Sequence, residues 1–155
     1  MIEGKLSVTK QFKFDSSHFL PGHNKCGQMH GHTYHMEVEL EGSIAENGMI
    51  MDFAQVKSKI QPYVDVLDHK TLNSVKGLEI PTAENIVLWF VEQIERTYPD
   101  NLVRVRVWEG DGSYAEWKRS HNGGSPVDLD KLSDRIANMA SDRIAASMTR
   151  DIVKR

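Results

Sequence analysis

The stretch Cys26-Gly-Gln-Met-His30-Gly-His32 holds the residue types best able to do chemistry in this 155-residue chain. Two histidines sit one residue apart, and the single cysteine lies upstream of them. On an extended backbone, residues two apart point to the same face. Both imidazoles can then reach one metal ion, and Gly31 between them lets the backbone pass close to a neighbour. A third histidine, His18, closes the alternating run that begins at Phe12. Three histidines with no fourth protein ligand are the pattern of a catalytic zinc, which keeps one position open. Cys26 admits two chemical readings. It can be a fourth zinc ligand, or a thiolate that moves protons. A small buried hydrophobe is the plain alternative. Asp68-His69 is a further candidate, because a carboxylate beside an imidazole orients it and stabilises its cation. Taken singly, Asp68, His69 and Glu109 each have an ordinary reading as solvated turn or strand-end residues, and Glu84 as a charge favouring a helix N-terminus.

The elements that must carry these groups are readable from periodicity. Leu6 to Asp15 reads as a strand with Phe12 and Phe14 on one face. From His32 to Glu41 the chain alternates, with His32, Tyr34, Met36, Val38 and Leu40 on one parity. His32 therefore falls on the buried face, while His35 falls among the carboxylates and is expected in solvent. Asp52 is placed to cap a helix carrying Phe53, Val56 and Ile60, which Pro62 is expected to end or kink. Leu72 to Pro81 reads as loop. Thr82 is placed to cap a second, strongly apolar helix from Ala83 to about Tyr98. Leu102 to Glu109 alternates as a strand, and Gly110-Asp-Gly112 predicts a hairpin into Ser113 to Trp117. Two strands, two helices and two strands predict an α+β domain with an antiparallel sheet.

His121 to Pro126 reads as a linker after a domain spanning residues 1–120. Beyond it, Leu129, Leu132, Ile136, Ala140, Ile144, Met148 and Ile152 recur every three or four residues, so residues 121–155 predict a linker and an amphipathic C-terminal helix. Such a helix is expected to dock on its own domain or on a neighbouring subunit.

Composition limits the function classes. At 39% apolar and 26% charged residues the chain reads as globular, and no apolar run approaches membrane-spanning length. A net charge of −3 gives no general reason to expect nucleic acid. One cysteine excludes an intrachain disulfide. Together with a start that lacks a signal-peptide layout, it predicts a cytoplasmic protein with its thiol reduced.

Six segments in order carry a specific resemblance: Phe14-Asp-Ser-Ser-His18, Lys25-Cys-Gly-Gln-Met-His-Gly-His-Thr-Tyr34, Met51-Asp-Phe53, Leu67-Asp-His-Lys-Thr-Leu-Asn73, Pro81-Thr-Ala-Glu-Asn85 and Val107-Trp-Glu109. Together they resemble the 6-pyruvoyl-tetrahydropterin synthase family over roughly residues 5 to 118. The short spacing between Cys26 and His30 resembles the branch of bacterial 6-carboxy-tetrahydropterin synthases, which serves queuosine and other 7-deazaguanine synthesis. Met29 departs mildly from the leucine common there. The resemblance implies a tunnelling fold, with a four-stranded antiparallel sheet and two helices on one face, in homo-oligomers that are commonly hexamers. It implies zinc held by His18, His30 and His32, and Cys26, Asp68 and His69 as the catalytic thiol and its relay partners. Glu109 is then the pterin anchor, with Thr82 and Glu84 in the pocket, and Lys25 is a candidate for the triphosphate or an ordinary surface lysine. The implied reaction converts 7,8-dihydroneopterin triphosphate to 6-carboxy-5,6,7,8-tetrahydropterin, acetaldehyde and triphosphate. The rivals are pyruvoyl formation at the same site, and a non-catalytic protein that binds a pterin or purine ring.

Overall fold

The computed structural model describes residues 4–120 and the single position Asp134. The predicted C-terminal helix lies outside the described residues. The chain runs β1 (Ser7–His18), β2 (His30–Glu41), α1 (Phe53–Leu67), β3 (Lys70–Thr71), α2 (Ala83–Thr97), β4 (Leu102–Glu109) and β5 (Tyr114–Lys118). One sheet in the order β3-β1-β2-β4-β5 carries both helices. β1 pairs with β2 without interruption from Ser7 opposite Glu41 to His18 opposite His30.

Period-two alternation puts Phe12, Phe14, Tyr34, Met36, Val38, Leu40, Val105 and Val107 on one face, where they form the core. Against it α1 contributes Val56, Ile60, Val64 and Leu67, and α2 contributes Ile86, Val87, Phe90, Val91 and Ile94. Phe14 stacks on Tyr34 at 4.9 Å and meets Phe90 edge-on at 5.8 Å. Burying an aromatic ring contributes about 1.5–3 kcal/mol, so this trio at the end of the core makes a firm floor for whatever lies above it. Asp52 and Thr82 cap the two helices as expected, accepting from Ala54 N and Asn85 N. Among the described residues no helix is long and apolar enough to cross a membrane.

The structure departs from the sequence reading in particular places. The sheet has five strands rather than four, because Lys70 and Thr71 add a short parallel strand beside Ser16 and Ser17. A strand of two residues is too brief to show alternation, so the sequence carries no sign of it. Pro62 does not end α1, which continues to Leu67. The proline stands exposed, and the buried stripe from Val56 to Leu67 holds the helix together across the missing donor. Within the stretch read as loop, Leu72–Ser74 forms a short 3₁₀ turn. Both site strands also outrun their expected bounds, β1 reaching His18 and β2 starting at His30.

Candidate metal centre and active site

The strand register assembles the cluster. His18 lies opposite His30, Ser16 opposite His32, and Tyr34 opposite both Phe14 and Glu109. Opposed residues of antiparallel strands share a face, so His18, His30, His32 and Glu109 all stand on the core face, just beyond its last aromatic layer. The three imidazoles offer ligand atoms that all lie within 4.8 Å of one another. His18 Nε2 is 3.1 Å from His30 Nε2. His18 Nδ1 donates to the carbonyl of Pro81 at 2.8 Å, and His30 Nδ1 to that of Gln28 at 2.8 Å.

Those carbonyls decide the tautomers. A carbonyl only accepts, so each Nδ1 carries its proton and each Nε2 of a neutral ring presents a lone pair. Two lone pairs facing each other across 3.1 Å, beside a carboxylate, repel unless a cation lies among them. The donor set therefore fits a metal ion of the zinc class, with second-shell carbonyls fixing two of the rings. His18 is buried while His30 and His32 are half-exposed, so the cluster is anchored on one side and open on the other.

Glu109 sits on the flank of the trio. Its Oε1 is 3.1 Å from His18 Nε2 and 3.6 Å from His32 Nε2, and it accepts from the Tyr34 hydroxyl at 3.4 Å. When a second proton on His18 Nε2 takes the place of a metal ion, its bond to Glu109 is what chiefly holds the carboxyl below its usual range against the opposing effect of burial, helped by His32 and Tyr34. Burial lowers the basicity of His32, with Glu109 pulling the other way and the other two histidines adding to the drop. Burial, then the Glu109 charge, pushes the Tyr34 hydroxyl well above its ordinary value.

Cys26 lies half-buried in the β1–β2 loop and outside the metal-ligating set. Its carbonyl accepts from Leu20 N at 2.7 Å and its N–H donates to His23 Nδ1 at 3.0 Å. Gly27 is required there, because a Cβ would stand 2.3 Å from the His23 carbonyl oxygen. At Gly31 the expected close approach is absent, since a Cβ would meet Ser16 O at an ordinary 3.5 Å.

Asp68 and His69 form their own pair at the end of α1, Asp68 Oδ2 lying 3.0 Å from His69 Nδ1. Asp68 Oδ1 accepts from Asp15 N at 2.9 Å, which chiefly holds this carboxyl below its usual range. His69 is 79% exposed and has φ +56°. Among the described residues no hydrogen bond or ion pair joins Cys26 to this pair. An open depression of about 560 Å³, lined among others by Ser17, Gly31, His32, Thr33, His69 and Lys70, separates the pair from the histidine cluster.

Thr82 caps α2, and its neighbour Pro81 supplies the carbonyl that orients His18. Glu84 and Lys25 are exposed, the first in the opening turn of α2 and the second in the Cys26 loop. His35 is exposed, as its parity predicted. Sequence reasoning missed Tyr34 as a partner of Glu109, although it shares the parity of His32. It also missed Asp15 and the two carbonyls, for which residue type gives no signal.

Residues 7–120 match the family described as 6-pyruvoyl tetrahydropterin synthase. A relative from Archaeoglobus fulgidus, provisionally named 6-carboxy-5,6,7,8-tetrahydropterin synthase, is 41% identical over 119 residues, covering 76% of this chain and 100% of the relative. A dihydroneopterin monophosphate aldolase from Pyrococcus furiosus is 36% identical over 117 residues, covering 73% of this chain and 99% of the aldolase. Among solved structures, the 6-pyruvoyl tetrahydropterin synthase of Caenorhabditis elegans superposes with a TM-score of 0.70 at 24% identity, over 76% of this chain and 97% of that one. The fold is thus the α+β tunnelling fold. With the match running through every strand and both helices that build the histidine cluster, this chain belongs to the 6-pyruvoyl tetrahydropterin synthase family.

Proposed function

We propose that the protein is a zinc-dependent lyase of the 6-carboxy-tetrahydropterin synthase type. With one water, it converts 7,8-dihydroneopterin triphosphate to 6-carboxy-5,6,7,8-tetrahydropterin, acetaldehyde and triphosphate, a step toward queuosine and related 7-deazaguanines. The observation that carries this reading is the convergence of three histidine donors, two with their tautomers fixed by carbonyls, beside an ionised Glu109.

His18, His30 and His32 would hold the zinc, which when bound supplies Lewis acidity toward hydroxyls of the pterin side chain. Glu109, kept ionised, accepts paired hydrogen bonds from the amino and ring N–H groups of the pterin, and charge-assisted pairs of this kind fix orientation. Turning to the ring requires Glu109 to leave His18. Thr82 and Glu84, at the start of α2, flank the ring, and Lys25 meets the triphosphate. Cys26 as thiolate takes and returns a proton on one side of the side chain. On the other side His69 exchanges a proton while Asp68 stabilises its cation.

Among the described residues no hydrogen bond or ion pair links Cys26 to the Asp68–His69 pair, and the His69 side chain is 79% exposed. A homo-oligomer, such as a hexamer, in which neighbouring copies complete each other's sites accounts for both facts. Among the described residues, the edges at β5 and along most of β1 have no strand partner, which supports it, since exposed edges call for cover.

The aldolase relative supports a second reading, retro-aldol cleavage of the same side chain. Mass spectrometry of products from dihydroneopterin triphosphate and monophosphate separates the readings. The carboxy product is expected. A pyruvoyl or retro-aldol product, or binding without turnover, overturns the proposal. Elemental analysis is expected to give one zinc per subunit, and full activity in metal-free protein would refute the zinc assignment.

A further inference from the structure

One buried hydroxyl ties the end of α1, where Asp68 and His69 stand, to strand β1. Leu67 ends α1, and the last carbonyls of a helix have no partner within it. Leu67 is fully buried, so water cannot serve its carbonyl. The partner is Ser16, whose Oγ donates to Leu67 O at 2.5 Å. Ser16 is itself only 6% exposed. It stands two residues before His18, opposite His32 in the register and beside Lys70 of β3.

The two residues after Leu67 need such a hold. Asp68 is extended and His69 adopts a left-handed conformation at φ +56°. Helices often end on a left-handed residue, but it is usually glycine. A histidine there is strained and persists only where its surroundings over-determine it. Three bonds do so: His69 N to Asp15 O at 2.7 Å, Asp15 N to Asp68 Oδ1, and Ser16 Oγ to Leu67 O. The first is backbone to backbone and the second takes its donor from the backbone. Ser16 supplies its bond from a side chain, on the strand that carries His18.

We propose that Ser16 is a positioning residue. Its hydroxyl fixes the end of α1 to β1, and so holds the Asp68–His69 pair at a constant place on the protomer, from which it reaches the site it serves. This rests on the reading of Asp68 and His69 as the proton-transfer pair.

The test uses the full-length, metal-loaded protein with dihydroneopterin triphosphate. Displacing a catalytic group by a fraction of an ångström to an ångström costs on the order of 10–100-fold in rate. Ser16→Ala is expected to lower kcat by about that factor while leaving KM and zinc content unchanged, and Ser16→Thr to restore most of it. Ser16→Cys, which fills the same space with a weaker donor, is expected to fall between them and gives a second readout if the alanine variant does not fold. In a His69→Ala background, Ser16→Ala is expected to add nothing. Zinc content or KM moving in step with kcat, a threonine variant that folds without recovery, or additive losses in the double variant would overturn the inference alone. Wild-type turnover in His69→Ala would instead overturn the proton-transfer reading, and this inference with it.

Discussion

Cys26 sits in a loop that closes on itself through Leu20 and His23, and it stands outside the metal-ligating set. Cys26→Ala is therefore expected to keep zinc, held by His18, His30 and His32, and to bind pterin through Glu109. Turnover is expected to fall on the order of 10²–10⁴-fold, the usual worth of a positioned acid or base. Zinc content, pterin affinity and product formation on this one variant check it; zinc loss would make Cys26 a ligand after all. His69 poses the opposite case, a side chain retained at a strained position. Glycine relieves left-handed strain of about 1 kcal/mol, so His69→Gly is expected to raise the midpoint of chemical denaturation slightly while abolishing turnover. Equal or lower stability would show that no strain is stored there. The placement of these residues was partly legible. His18, His30 and His32 announced themselves by type and parity, and Asp68-His69 by adjacency. Ser16, Asp15 and the carbonyl of Pro81 did not, because their part depends on contacts across 50 or so positions of sequence.

At the scale of elements, the two faces of the sheet divide the work. The inner face carries the core and the cluster. The outer face carries a charge ladder in which Arg104 bonds Glu39 at 2.7 Å, Arg106 pairs with Glu116, and Lys118 reaches Glu116 at 2.8 Å. Burial works to raise the Glu116 carboxyl, but bonds from Lys118 and Arg106 outweigh it and hold the group below its usual range. Asp68 is held low by Asp15 N–H. A carboxylate with a depressed folded value stabilises the fold above its unfolded value, and that contribution is lost as pH falls through the folded one. Thermal stability is thus expected to be level at neutral pH and to decline below about pH 4, with Glu116→Gln flattening the decline. A melting series spanning acid to neutral pH tests this, and an unchanged slope in Glu116→Gln would count against the ladder. Alternation made β1, β2 and β4 readable in advance, whereas β3 was too short and α1 ran on past Pro62 because packing outweighed a local breaker.

At the scale of the whole molecule, the family match ends where the described domain ends, at residue 120. The later residues carry an apolar stripe but none of the candidate site groups. Truncation after Ser120 is accordingly expected to lower the melting temperature more than turnover per folded subunit. Calorimetry beside active-site-normalised kinetics decides it, and a large loss of turnover in a folded, correctly assembled truncate would place the tail at the active site. Light scattering on both forms is expected to give an oligomer for the intact chain, and a monomer at micromolar concentration would remove the shared-site reading.

The uninterrupted pairing of β1 with β2 has one more consequence. Because side chains alternate, a slip of one residue between these strands sends His30 and His32 to the opposite face from His18. Only a correctly threaded chain can gather the three imidazoles. With the proposed zinc, metal uptake would act as a proofreading signal for strand alignment, and a metal titration is expected to count natively paired molecules in a preparation even when every catalytic group has been removed.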